Sequence, residues 1–213
     1  MWSEYSNLFH ERIEVGRREC AYFKKAMMDG ERFPGARLFL NKVEPIIQNG
    51  PQCGMGEIFS AQWLTQLVDE VMPELSTECR KFPTEQEIID SLHNQSLFII
   101  PYDCDKNHMP SMERNGEAAH WCLVIGYVYF DDELNEDVHQ KESFSPEDLD
   151  QFYVLTLHGK SRQIGVWEYK NLHNSNAQLY EIGANRSRED YVIPPTGLDE
   201  LRGKAVIVKK KAT

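Results

Sequence analysis

The stretch HWCLVIGYVYF, residues 120–130, decides the fold class. Its apolar part, Trp121 to Phe130, is about ten residues long and is interrupted by Gly126, whereas a membrane helix needs about 20. It is rich in Val, Ile, Tyr and Phe, the side chains that suit a pleated, half-buried surface, and so it reads as a strand. Working outward, Leu97–Pro101, Phe152–Leu157, Ile164–Tyr169 and Ala205–Val208 are shorter runs of the same kind. Upstream the pattern changes. In EIFSAQWLTQLVDEVMPEL, residues 57–75, Phe59, Trp63, Leu67 and Val71 recur every fourth residue, with Leu64 and Val68 beside them, as on one face of a helix. Thr84 and Glu87 form a capping-box pattern that predicts a second helix over Glu85–Asn94. Helices first and strands afterwards predict an α+β fold, with a helical N-terminal half and a mostly antiparallel sheet in the C-terminal half.

The flanks fit a single domain with a small appendage. Residues 1–35 are charged, partly helical in pattern and closed off by Gly30, Pro34 and Gly35, so they are expected to form an N-terminal helical extension to a domain over residues 36–213. Residues 131–150 are acidic and aperiodic, as expected of a solvated loop. With 23 basic against 34 acidic residues the net charge is −11, which disfavours phosphate backbones and anionic membrane surfaces. The charged start, MWSEYSNLFHERIEV, does not read as a signal peptide. The five cysteines are widely spaced, without a CxxC, which suits a reducing compartment better than a disulfide framework. A cytoplasmic protein with neither nucleic-acid nor membrane partners is the expectation.

Two residues point to chemistry. Cys53 sits in the Gly/Pro turn NGPQCG, residues 49–54, ahead of a helical pattern, and a helix N-terminus stabilises a thiolate. The competing reading is an inert buried thiol, the usual fate of a free cysteine. His120 opens the strand, where it can face a cleft while the rest of the strand anchors in the core. A cysteine nucleophile needs a base, which can lie far away in sequence. The alternative for His120 is a histidine satisfied by the backbone. A zinc site built from Cys104, His108, His120 and Cys122 is disfavoured, because the spacing fits none of the usual paired patterns. No metal and no cofactor are expected.

Four blocks together resemble the actin maturation protease family, cysteine peptidases related in fold to the papain and bacteriocin-processing groups. They are IIQNGPQCG (residues 46–54), MGEIFSAQWLTQLVDEV (55–71), LFIIPYDCDKNHMPSMERNGEAAHW (97–121) and HGKSRQIGVWEYKNLHNSNAQL (158–179), in the family's order over roughly two-thirds of the chain. The resemblance implies a papain-like cysteine peptidase domain over 36–213, without cofactor. It would remove the acetylated N-terminal Met or Cys from immature actin, alone or with profilin bound. By the same resemblance Cys53 is the nucleophile and His120 the general base. Gln48 and Gln52 are oxyanion candidates, and His158 and Ser161 are candidates for orienting His120. Lys160 and Arg162 either meet the acidic actin N-terminus or simply mark a solvated strand end. One departure stands out: Gly54 runs directly into Met55-Gly56-Glu57, where the resemblance implies some tens of further residues and a helix, so either that segment is missing from this sequence or the chain is truly shorter and the helix from Glu57 takes its place. A chain that has lost that helix would bind actin without cleaving it, which is the competing function.

Overall fold

The computed structural model describes residues 57–129, 152–158, 163–184, 186 and 191–211. The expected N-terminal extension, the NGPQCG turn and the acidic loop lie outside them.

Helix α1, Ala61–Val71, starts where Ser60 Oγ accepts the Trp63 N–H at 3.2 Å. It buries Ala61, Leu64 and Val68, and Met72 just beyond its end. Trp63 and Leu67 are only partly buried, and Phe59 lies ahead of the helix in a second cluster with Leu179, Leu198 and Leu201. The buried face is therefore centred on Leu64 and Val68, not on the every-fourth row. Trp63 and Leu67 each precede a residue of the buried row Leu64–Val68–Met72 by one position, about 100° around the helix, and so lie at the edge of the buried face. Nor does the helix reach Leu75. Pro73 lacks an amide donor and pushes Met72 out of helical geometry, at φ −127° and ψ 69°. The chain turns there and enters strand β1, Leu75–Lys81, which the sequence pattern did not show.

Helix α2, Glu85–His93, carries the expected cap. The Glu87 N–H bonds Thr84 Oγ1 at 3.2 Å, and the Thr84 N–H bonds the Glu87 carboxylate at 2.8 Å. Strands β2 (Ser96–Asp103), β3 (Ala119–Tyr129), β4 (Phe152–His158), β5 (Gly165–Glu168) and β6 (Lys204–Lys210) follow the five apolar runs. A further helix, α3, spans Tyr169–Ala177 between β5 and β6. The six strands form one sheet in the order β1-β6-β2-β3-β4-β5, with every neighbouring pair antiparallel. The α+β class holds, but the described residues open with helix, strand, helix and strand, so residues 57–103 are not simply helical. Helix α1 lies along β1 and β6, α2 against β2 and β3, and α3 against β2, β4 and β5. Between them Leu64, Ile88, Leu92, Ile100, Tyr127 and Trp167 are fully buried.

The end of β2 is held by polar bonds. The Asp103 carboxylate is buried and accepts the Gly116 N–H at 2.9 Å, the Ala118 N–H at 3.0 Å and Gln178 Nε2 at 3.4 Å. Ser175 Oγ accepts the Asp103 N–H at 2.9 Å and donates to its carbonyl at 2.7 Å. Asn176 Nδ2 donates to the Pro101 carbonyl at 2.8 Å, and its Oδ1 accepts the Gly203 N–H at 2.8 Å. The SN and Q positions of one sequence block thus fasten the IPYD strand of another.

Gly116 makes a prediction. It has φ +103°, and a Cβ there would lie 2.7 Å from Leu198 Cδ1 and 3.0 Å from the Glu181 carbonyl oxygen. Gly197 also has positive φ, +61°, but has nothing within 4 Å. Gly116→Ala should cost about 3 kcal/mol or more and Gly197→Ala about 1–2 kcal/mol, read as the shift in a urea unfolding midpoint. Equal shifts would mean that the Leu198 contact relaxes freely.

Candidate functional site

The register of the central strands builds the site. Tyr102 pairs with His120 and Cys122 with His158, so these side chains share one face at the same end of the sheet. Cys104, two residues beyond Tyr102, forms an isolated bridge with Pro110. Between them the chain folds over in a tight turn. Asp105 Oδ1 accepts the Asn107 N–H at 2.7 Å and the Met109 N–H at 2.9 Å, and Tyr102 Oη donates to the His108 carbonyl at 3.1 Å. His108 is held there at φ +63°, an unusual conformation for a residue with a side chain.

The turn brings the His108 ring against two sequence-predicted residues. Its centroid lies 6.1 Å from that of His120 and 5.7 Å from that of His158. His158 in turn lies 5.7 Å from Trp167. Ligand atoms of Cys104, His108 and His120 all fall within 4.8 Å of one another. Three imidazoles and a thiol at one sheet end can relay a proton or hold a cation. His120 and His108 are half-buried, whereas His158 and Cys104 are buried. Nδ1 of His108 and Nδ1 of His158 are buried with no hydrogen-bond partner among the described residues.

Burial and the adjacent His108 hold His158 below the ordinary histidine range. The folded state then prefers the neutral ring, while the unfolded chain takes up the proton first as pH falls. This contribution is full above about pH 6.5 and is lost as pH falls towards the folded-state value. Between about pH 7.5 and about pH 5.5 the urea midpoint should fall further in the native chain than in His158→Gln. Parallel losses in the two proteins would remove His158 as the cause.

The thiols on the described part of the chain are poor nucleophiles. Burial pushes Cys104 up to about 11, with Asp103 adding to it. Cys122 is raised further by complete burial, and its Sγ lies 3.5 Å from the Ile100 carbonyl oxygen. Cys79 on β1 is also raised by burial. Cys53, Gln48, Gln52, Ser161, Lys160 and Arg162 lie outside the described residues. The sequence-derived pair His120 and His158 is therefore brought to one sheet end. His108, which sequence reasoning weighed only for zinc, touches both rings. The CDKNHMP stretch marks a polar loop there, but not that the loop returns its histidine to the strand.

Comparison with known sequences shows what this chain is similar to. Residues 55–128 match the sequence model of the "Actin maturation protease-like, C-terminal domain" family. Curated relatives are all named "Actin maturation protease". The one from Drosophila melanogaster is 29% identical over 188 residues, covering 73% of this chain and 64% of that protein. The one from Danio rerio is 28% identical over 253 residues, covering 92% and 79%, and the one from Homo sapiens is 26% identical over 260 residues, covering 92% and 72%. The likeness to the actin maturation protease family read from the four blocks is thereby established, although the chain spans less than two thirds of the fly relative. No solved structure matches it. The zebrafish alignment is longer than this chain of 213 residues, so that relative carries extra chain inside the aligned region. The family match begins at Met55. Among the described residues no helix is long and apolar enough to cross a membrane.

Proposed function

We propose that the chain is a papain-like cysteine aminopeptidase of the cytoplasm that removes the acetylated N-terminal Met or Cys from immature actin. The observation that carries this reading is the position of His120. It stands at the second residue of the core strand β3, half-buried, with the His108 ring against it, in a chain whose relatives are named as actin maturation proteases. The raised thiols of Cys79, Cys104 and Cys122 support a nucleophile elsewhere, and Cys53 in its Gly/Pro turn is the candidate.

The chemistry then runs as follows. His120 takes the Cys53 proton, and the thiolate attacks the carbonyl carbon of the acetylated residue. Gln48 or Gln52, with backbone N–H groups of the turn, holds the developing oxyanion. His120 returns the proton to the amine of the second residue as the C–N bond breaks. Water, deprotonated by His120, then hydrolyses the thioester and frees the acetylated amino acid. His108 and His158 orient the ring of His120, a role for which Ser161 is the other candidate. Incubating the chain with acetyl-Met and acetyl-Cys peptides of acidic sequence should release the acetylated residue, seen by mass spectrometry. Intact peptides after long incubation would count against the reading.

A second reading has its own support. The family match starts just after the cysteine block, and relatives carry extra chain in the aligned region. A chain without the helix behind Cys53 would bind actin, or actin with profilin, and leave it uncut. Iodoacetamide separates the two: an activated Cys53 labels fast and selectively, whereas an inactive form labels slowly and over several thiols.

A further inference from the structure

We propose that Cys104, His108 and His120 bind one zinc ion, with its fourth position open to water or substrate. The donor set is one thiolate and two imidazoles, a combination that suits zinc and is foreign to magnesium and calcium. The three ligand atoms lie within 4.8 Å of one another. In a tetrahedral site with Zn–S of about 2.3 Å and Zn–N of about 2.0 Å, donors stand roughly 3.3–3.6 Å apart, so side-chain rotation of about 1 Å closes the site.

One observation beyond the donor set points to a ligand there. The Asp105 turn holds His108 at φ +63° with its ring beside that of His120. Nδ1 of His108 is buried without a partner among the described residues, a polar atom that a cation would satisfy. The ligands also come from rigid places: the end of β2, fastened by Asp103, and the start of β3, paired to β2. Cys122 is not the fourth ligand. It is fully buried and directed at the Ile100 carbonyl. The set of four weighed from sequence becomes a set of three, and a site with three protein ligands keeps one position open.

Binding replaces the Cys104 S–H bond with an S–Zn bond and releases that proton to solvent, while both imidazoles stay neutral. Metal on His120 uses the lone pair that would take a proton. Zinc occupancy and general-base action at His120 therefore exclude one another, and zinc switches the peptidase off. This last clause rests on the proposed function; the site itself does not.

The test uses the full chain after chelator treatment, carrying Cys53→Ala so that Cys53 cannot supply sulfur. Titration with Co(II) should give the visible bands of a tetrahedral ion and a near-ultraviolet thiolate-to-cobalt band, saturating at one ion per chain. Zn(II) should displace it. Cys104→Ser should abolish the thiolate band. His108→Ala, a change in a half-buried turn that leaves the core intact, should weaken Zn(II) by more than the roughly 10–100-fold typical of an outer-shell partner. Cys122→Ala should keep the thiolate band. A spectrum without a thiolate band, or one unchanged by Cys104→Ser, overturns the site. In the chain with Cys53 intact, saturating Zn(II) should stop peptide cleavage, and chelator should restore it. Zinc bound with cleavage undiminished would leave the site standing and remove both the switch and His120 as the base.

Discussion

Cys53→Ala should abolish removal of the acetylated residue, with a loss of roughly 10⁴–10⁶ in turnover, and leave the unfolding transition where it was. An alanine has no lone pair to offer the carbonyl, and a backbone oxyanion site alone gives only residual rate. The described thiols offer no substitute, since burial raises Cys79, Cys104 and Cys122 alike. Cys79→Ser on β1 is the matched control, because it removes a thiol far from the histidine cluster in sequence and should keep full activity. The measurement is mass spectrometry of actin N-termini in cells whose only copy is the variant. Normally processed actin in those cells would end the assignment of Cys53.

His120→Ala should cost roughly 10²–10⁴ in turnover through loss of the general base. The fold should survive, because β3 pairs with β2 and β4 through backbone bonds and its buried side chains lie further along, at Cys122, Leu123 and Val124. The native enzyme should show a bell-shaped pH profile whose two limbs belong to the thiol–imidazole pair and not to either group. In His108→Gln the profile should shift while part of the turnover is kept, since that residue acts through His120. Near-normal turnover in His120→Ala would pass the base role to His158 or His108.

The strands of high Val, Ile, Tyr and Phe content were legible because their burial is written in composition, and the α2 cap because it is a local exchange of two hydrogen bonds. Strand β1, LSTECRK, was not. It is a polar strand at the edge of the described sheet, and it extends to pair with β6, more than a hundred residues away in the chain. Helix α3, YKNLHNSNA, has neither a side-chain cap nor a strong apolar stripe. It is fixed by Ser175 and Asn176 reaching the ends of β2 and β6, contacts that no window of sequence contains. At the site, His120 was legible as a histidine at the mouth of a strand. That His108 would lie against it depended on a backbone turn at positive φ, which a local reading of CDKNHMP does not reveal.

The place of β6 in the sheet has a consequence for synthesis. Lys204–Lys210 lies between β1 and β2, with a partner on each side. Until the ribosome has released those residues, β1 and β2 face one another across an unfilled slot, each with a row of open amides and carbonyls. The nascent chain carries that gap until Lys204–Lys210 have emerged, exposed to any strand that could fill it. A stop codon just before Lys204 would therefore remove an interior strand that joins β1 to the rest of the sheet, not trim its rim.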